Sequence, residues 1–279
     1  MEKYLTHIKS KSRWLDLDLM ELWHYRDLIF LFVKRNYSTR YKQTILGPLW
    51  LIFNPLITVT LYALVFGNLA GLSTGGSPQF IFYLCSNAIW SYFATCITNT
   101  ANTFTANSAI LGKVYFPRLV MPISAVITGV MDLFVQIFLL GMIMVGYTLK
   151  GVDIRINIVI LLVPVIILQT ALLGLGCGII VAACTTRYRD LAVLVSFGVQ
   201  LWMYISPVVY TVTVVPRRFY NIYMLNPMSS IITTWRYAIL GGSEFSTVYW
   251  GISWGVTVAI LMVGILLFNK VEKTFMDTV

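Results

Sequence analysis

Long apolar runs alternate with short polar segments along most of this 279-residue chain. A helix that crosses a bilayer needs roughly 20 apolar residues. Stretches of that length lie at about 47–69, 79–100, 119–148, 156–184, 191–212 and 247–268. The pattern therefore predicts an all-α integral membrane protein with six transmembrane helices.

The segment before the last span, at about 213–246, is too polar to cross a membrane as one helix. It contains two short amphipathic pieces, which Asn226 and Pro227 divide. Irregular backbone at membrane depth must be covered by protein or water. We therefore expect two short re-entrant or interfacial helices here, on the outer side of the membrane.

The N-terminal segment, residues 1–44, differs from the transmembrane domain that we assign to 45–279. Within 15–35, apolar side chains recur at helical spacing, while charged ones fall between them. The apolar positions are Leu15, Leu19, Leu22, Trp23, Ile29, Phe30 and Val33. This pattern predicts an amphipathic helix in the cytoplasmic interface. Packing on a soluble partner is the alternative, and one helix can do both.

Composition and charge agree with a membrane protein. The chain is 58% hydrophobic and only 11% charged, with a mean hydropathy of +0.79, whereas a soluble domain is about a quarter charged. The net charge of +9 could indicate nucleic-acid binding. With the N-terminus inside, however, 15 of the 20 Lys and Arg residues fall on the inner side, which the positive-inside rule explains. We expect a multi-pass protein of the cytoplasmic (inner) membrane with both termini cytoplasmic and no nucleic-acid partner.

Polar side chains inside a span are informative because they are expensive in lipid. Asp132 lies well within the third predicted span, and Gln136 follows one helical turn later on the same face. A proton path would need several charged groups. We therefore predict that Asp132 and Gln136 hydrogen-bond to a neighbouring helix.

Aromatic side chains lie deep in the first and fifth predicted spans. They are Trp50, Phe53, Tyr62, Trp202 and Tyr204. An aromatic ring with a polar edge suits a sugar, whose C–H face stacks while its hydroxyls hydrogen-bond. These five residues are candidates for a glycan channel, and ordinary packing against lipid and neighbouring helices is the alternative.

The chain has no GxxxxGK[ST] phosphate loop. It also lacks the residue orders of the common hydrolases, and we assign it no catalytic, cofactor or metal residues. If the protein moves cargo with ATP, then ATP and Mg²⁺ bind to a separate partner subunit. The long mixed loop at about 101–118 is the best candidate for a cytoplasmic surface that couples to such a subunit.

Two stretches carry a specific resemblance: "YRDLIFLFVKRNYSTRYKQTILGPLW" (25–50) and "NSAILGKVYFPRLVMP" (107–122). With six spans and a polar piece before the last, the chain resembles the permease subunit of ABC-2-type polysaccharide exporters. That family covers O-antigen, capsule and teichoic-acid export. The resemblance implies a homodimer with two ABC ATP-binding subunits. It also implies a channel that exports a lipid-linked polysaccharide, O-antigen-like, in lipopolysaccharide biosynthesis.

The resemblance also implies which residues couple the permease to its ATPase. The interface helix, the turn before the first span and the loop after the second span face the ATPase in that family. Here the matching positions are Leu46, Gly47, Ser108, Lys113, Phe116, Pro117 and Arg118. Pro48 follows the Leu-Gly pair where an apolar residue is also familiar, so the turn is expected to be stiffer.

Three other functions remain open. An ABC-2-type exporter of teichoic acid, a drug or a small lipid would share the architecture. A membrane-embedded lipid-sugar transferase should show a cluster of His or carboxylate residues at one membrane face, and no such cluster is evident in the sequence. A membrane scaffold would give no reason for the "KVYFPR" loop.

Overall fold

The computed structural model describes residues 19–42, 45–107, 110, 116–152, 158–185, 191–241 and 245–275. Within these ranges the regular elements are all helical, which confirms the all-α prediction. The α-helices in these ranges are α1 (Leu19–His24), α2 (Arg26–Tyr41), α3 (Trp50–Tyr62), α4 (Gln79–Ala101), α5 (Thr103–Ala106), α6 (Val120–Leu149), α7 (Val163–Thr185), α8 (Leu191–Ile205), α9 (Arg217–Met224), α10 (Pro227–Leu240) and α11 (Thr247–Phe275).

Five helices in the described part are long and apolar enough to cross a membrane. They cover Gly47–Leu69, Gln79–Ala101, Val120–Leu149, Ile158–Thr185 and Thr247–Lys270. The first consists of a 3₁₀ turn at Gly47–Leu49, helix α3 and a π-helical stretch at Ala63–Leu69. These bounds agree with five of the six predicted spans to within a residue or two.

The predicted span at 191–212 is wrong at its C-terminal end, because α8 stops at Ile205. Pro207 gives the reason: the residue before a proline is disfavoured in the helical conformation. Residues 206–209 form a buried turn instead. At a rise of about 1.5 Å per residue, α8 is shorter than the roughly 30 Å hydrocarbon core.

Helix α4 lies at the centre of the bundle. It packs against α3, α6, α7, α8 and α10, and its side chains dominate the main apolar core. Gly174 and Gly178 of α7 face α4, where a Cβ atom would collide with Cys96 and Thr100. Small residues at such spacing let two membrane helices approach closely, so these two glycines set the distance between α4 and α7.

The polar segment before the last span forms two helices, as predicted. Helix α9 ends at Met224 and α10 begins at Pro227, whose fixed φ suits a first helical turn. The Asn226 side chain accepts a hydrogen bond from the Met228 amide at 3.2 Å and so caps α10. Most of α10 is buried among α4, α7 and α11, whereas most of α9 is exposed.

The N-terminal helix extends past the C-terminal end of its predicted range, 15–35. Its described part runs from Leu19 to His24, breaks at Tyr25 and continues as α2 to Tyr41. Helix α2 packs against α6. Residues 15–18 of the predicted range lie outside the described residues.

Candidate functional site

The turn before the first span has the geometry that its sequence predicts. Gly47 is buried and has a φ of +47°, in the left-handed region that favours glycine. Pro48 follows in the first 3₁₀ turn, where its missing N–H leaves no hydrogen bond unmade. Ile45 and Leu46 are exposed. The chain thus turns at Gly47 and presents two apolar side chains outward.

Helix α2 and the loop after the second span share a small apolar core. The rings of Phe32 and Phe116 lie 5.7 Å apart, and both pack with Val120 and Met121. Two regions that the family resemblance assigns to ATPase coupling therefore lie together. Pro117 and Arg118 are partly exposed beside them, whereas positions 108 and 113 lie outside the described residues.

Arg35 makes a second link between the same two regions. Its guanidinium donates to the Asn107 side-chain oxygen at 2.6 Å and lies 4.8 Å from the centre of the Phe32 ring. A cavity of about 540 Å³ adjoins this link. Amide and hydroxyl side chains of α2, α4, α5 and α6 line much of it, among them Asn36, Thr39, Asn99, Asn102 and Ser124.

Helices α1 and α2 also carry an uncovered apolar surface. Met20, Trp23, Phe30 and Leu31 are all exposed, while Val33 is buried. The single apolar face predicted from the sequence is therefore two faces. One packs on α6, and the other is available to lipid or to a protein partner.

Arg40, near the end of α2, forms an ion pair with Asp132 of α6. Their side chains are 35% and 13% exposed. The Asp132 carboxylate therefore holds the Arg40 guanidinium against α6. The expectation that Asp132 bonds to a neighbouring helix is confirmed, with a charged partner in place of a neutral one.

A polar cavity of about 430 Å³ lies next to this ion pair, between α3, α4 and α6. Arg40, Asp132 and Gln136 line it, and Trp50 and Tyr92 also contribute. Its other polar groups are amides and hydroxyls of Asn54, Thr58, Asn87, Ser91 and Thr95. Since a buried polar group without a partner is costly, water or a hydroxylated ligand suits this cavity better than lipid.

Gln136 behaves as the sequence predicted. Its side-chain N–H donates to the Ser91 hydroxyl of α4 at 3.1 Å. Its Oε1 atom is buried and has no hydrogen-bond partner among the described residues. This atom can accept one further hydrogen bond from whatever fills the polar cavity.

The five aromatic channel candidates fall into two groups. Trp50 and Phe53 are 43% and 44% exposed on the first span, and Tyr204 is also exposed. Trp202 instead stacks edge-on against Phe93 at 5.2 Å and donates to Asn226 at 3.1 Å. The Tyr62 hydroxyl donates to the Met203 sulfur at 3.2 Å. The structure thus brings the first span against α8, while a glycan role for these residues stays a prediction.

Sequence reasoning missed two features of these sites. The Arg40–Asp132 pair joins residues 92 positions apart, and no local pattern indicates such a contact. Asn54 and Asn87, in contrast, lie within apolar spans and could have been found by the rule that selected Asp132.

Comparisons with known proteins agree with the resemblance. The sequence profile of the family described as ABC-2 type transporter matches residues 27–240. The O-antigen export system permease protein RfbA of Klebsiella pneumoniae is 28% identical over 252 residues, 90% of this chain and 94% of that protein. The protein of the same name from Myxococcus xanthus is 29% identical over 77% of this chain and 81% of its own length. The inner membrane transport permease YadH of Escherichia coli K12 is 24% identical over 77% and 82%.

Proposed function

Because this chain belongs to the ABC-2 type transporter family, we propose that it is the channel-forming permease subunit of an ATP-driven polysaccharide exporter. The cargo is an O-antigen-like glycan linked to a lipid, which crosses the cytoplasmic membrane through a channel in a homodimer. Two separate ABC subunits bind and hydrolyse ATP with Mg²⁺.

One observation carries the choice of cargo. Relatives named as O-antigen export permeases align with 77–90% of this chain, so the similarity includes spans, turns and loops together. The polar cavity beside the first span supports the same choice, because its amides, hydroxyls and exposed Trp50 are groups that bind sugars.

The coupling role rests on the contacts of α2. The uncovered apolar side chains of α1 and α2 offer the ATPase a surface, and the Phe32–Phe116 contact joins that surface to the loop after the second span. The Arg40–Asp132 pair then ties the end of α2 to the middle of α6. Movement of the ATPase against α2 can reach the spans through these two contacts.

A deletion of this chain in its host tests the proposed cargo. Cells without it should accumulate the lipid-linked glycan inside and lose the glycan from the surface, measured by lipid extraction and by surface staining. Restored export by the chain together with its ATPase, and none with an ATPase that cannot hydrolyse ATP, is the expected control result. Normal surface glycan in the deletion strain would reject the proposal, and retention of a drug or small lipid would favour that cargo instead.

The proposed orientation places both termini in the cytoplasm and 213–246 outside. With the native cysteines replaced, single cysteines at Ser73 and Asn221 should react with an impermeant thiol reagent from outside. A cysteine at position 278, beyond the described residues, should react only after the membrane is opened. Labelling of position 278 in intact cells would contradict this orientation.

A further inference from the structure

Arg236 of α10 is a buried cation without an acidic partner in the described part of the chain. Its side chain is only 1% exposed. The ion pairs found in that part join Arg26 to Asp27 and Arg40 to Asp132, and neither involves it. An arginine keeps its charge in proteins, and a buried charge is stable only when it is paired or hydrogen-bonded.

The contacts of Arg236 leave part of its guanidinium unsatisfied. One terminal nitrogen donates to the Tyr210 carbonyl at 3.2 Å, and the guanidinium lies 4.5 Å from the centre of the Phe82 ring. Its Nε atom is buried and has no hydrogen-bond partner among the described residues. A carbonyl and an aromatic face attract the cation but supply no opposite charge.

A small cavity meets this side chain. Its volume is about 160 Å³, and Arg236 and Phe82 line it together with Thr74, Ser77, Thr211, Thr213 and Thr233. Gly75 and Thr213, also in the lining, are exposed, so the cavity is reached past the turn between the first two spans. A water molecule takes a share of about 30 Å³ in the liquid, so a group several times larger fits here.

We propose that this cavity binds a phosphate group. A guanidinium recognises phosphate through paired N–H donors. The Ser77 hydroxyl and one hydroxyl of the Thr211–Thr213 pair can also donate, since those two threonines share a single hydrogen bond, whereas Thr74 and Thr233 already donate to backbone carbonyls. A buried cation without an acidic partner favours an anionic ligand over a neutral one. The phosphate belongs either to a lipid headgroup or to free phosphate, and the inference does not depend on the cargo proposed above.

The test uses the full-length protein in a phosphate-free maltoside detergent at constant ionic strength. One arm adds inorganic phosphate. The other adds dihexanoyl phosphatidylglycerol, with dihexanoylglycerol as its phosphate-free match. A ligand near 100 times its Kd should raise the melting temperature by about 5 °C. A rise with inorganic phosphate assigns the site to the free ion, and a rise with the phospholipid alone assigns it to a headgroup.

Variants test whether the rise in melting temperature comes from binding at Arg236. Arg236→Met, which removes the charge but keeps much of the volume, should abolish the rise, and Arg217→Gln on the exposed side of α9 should retain it. If Arg236→Met does not fold, Thr213→Val at the exposed mouth should still weaken the response several-fold. No rise in the wild-type protein, or a full rise in Arg236→Met or Thr213→Val, would overturn the proposal.

Discussion

The first two spans are equal in length but differ in their surroundings. Each has 23 residues, yet 11% of the most hydrophobic window of the first is buried and 78% of that of the second. The first span is the more hydrophobic of the two. Helix α4 can hold Ser86, Asn87 and Thr100 because neighbouring helices surround it.

The difference shows that hydrophobicity and burial are separate properties in a membrane protein. An apolar helix is stable against lipid, so strong hydrophobicity does not indicate a central position. The uncovered faces of the first span are therefore available to lipid, to a second copy of the chain or to cargo. Under the proposed function these faces line the channel of the homodimer, and α4 packs against the opposite face of the first span.

The largest expected effect is on the stability of the bundle, when the packing between α4 and α7 is disrupted. In Gly178→Leu, the new side chain must enter the contact with Thr100, where even a Cβ atom lies too close. Overpacking of this kind costs about 1–3 kcal/mol or more, so we expect little detergent-stable protein by size-exclusion chromatography. Gly141→Leu is the matched control, since nothing lies within 4 Å of a Cβ there. Normal yield of Gly178→Leu would mean that α4 and α7 do not pack as described.

The next effect on stability concerns the ion pair between Arg40 of α2 and Asp132 of α6. Asp132→Leu removes the partner of a partly buried guanidinium and should lower the free energy of unfolding by about 2 kcal/mol. Arg40→Leu combined with Asp132→Leu should recover part of this loss, a coupling of about 1 kcal/mol. Thermal unfolding of the wild type, of Asp132→Leu, of Arg40→Leu and of the double variant measures this coupling. Additive losses would show that the pair contributes nothing of its own.

Many features of the fold could be predicted from the sequence because the signals for them are local. The apolar runs predict the spans, Gly47 and Pro48 predict the turn, and Asn226 with Pro227 divides α9 from α10. Pro207 was also a local signal for the end of α8, but the apolar residues that follow it led to a predicted span that continued to 212.

The faces of the helices could not be predicted in the same way. Which face of a span meets lipid and which meets protein depends on partners far along the chain, such as Arg40 for Asp132. The burial of Arg236 had no local signal either, since this arginine lies in the polar segment before the last span, where an exposed charge is expected. Long-range packing decides these points, and a single sequence carries no direct record of it.

A smaller effect on folding, with a clear effect on export, is expected at the turn. Gly47→Val places a β-branched residue at a φ of +47°, which costs about 1–2 kcal/mol. The complex should assemble and bind ATP but hydrolyse it without export. Gly71→Val, at the other end of the same span, has a φ of +62° and open space around it. It imposes a similar strain away from the coupling surface and should export normally.

Two outcomes would contradict this assignment of the turn. Wild-type export by Gly47→Val at equal expression would make it a simple connector. Equal loss of export in Gly47→Val and Gly71→Val would attribute the defect to strain in the span, whatever its position. ATP hydrolysis and glycan export measured on the same membranes separate these results.

The smallest effect on stability is expected at the aromatic side chains of the exposed span. Trp50 is 43% exposed and lines the polar cavity. Trp50→Ala should therefore change the free energy of unfolding by only about 0.5 kcal/mol, yet reduce glycan export several-fold by removing a stacking surface. Phe138→Ala on α6, 70% exposed, is the control and should alter neither quantity. Trp202→Ala should lower stability as well, because the contact with Phe93 and the bond to Asn226 disappear together. The assignment fails if Trp50→Ala exports normally while Trp202→Ala is destabilised. The uncovered face of the first span would then contact lipid or the second subunit, and cargo would pass elsewhere.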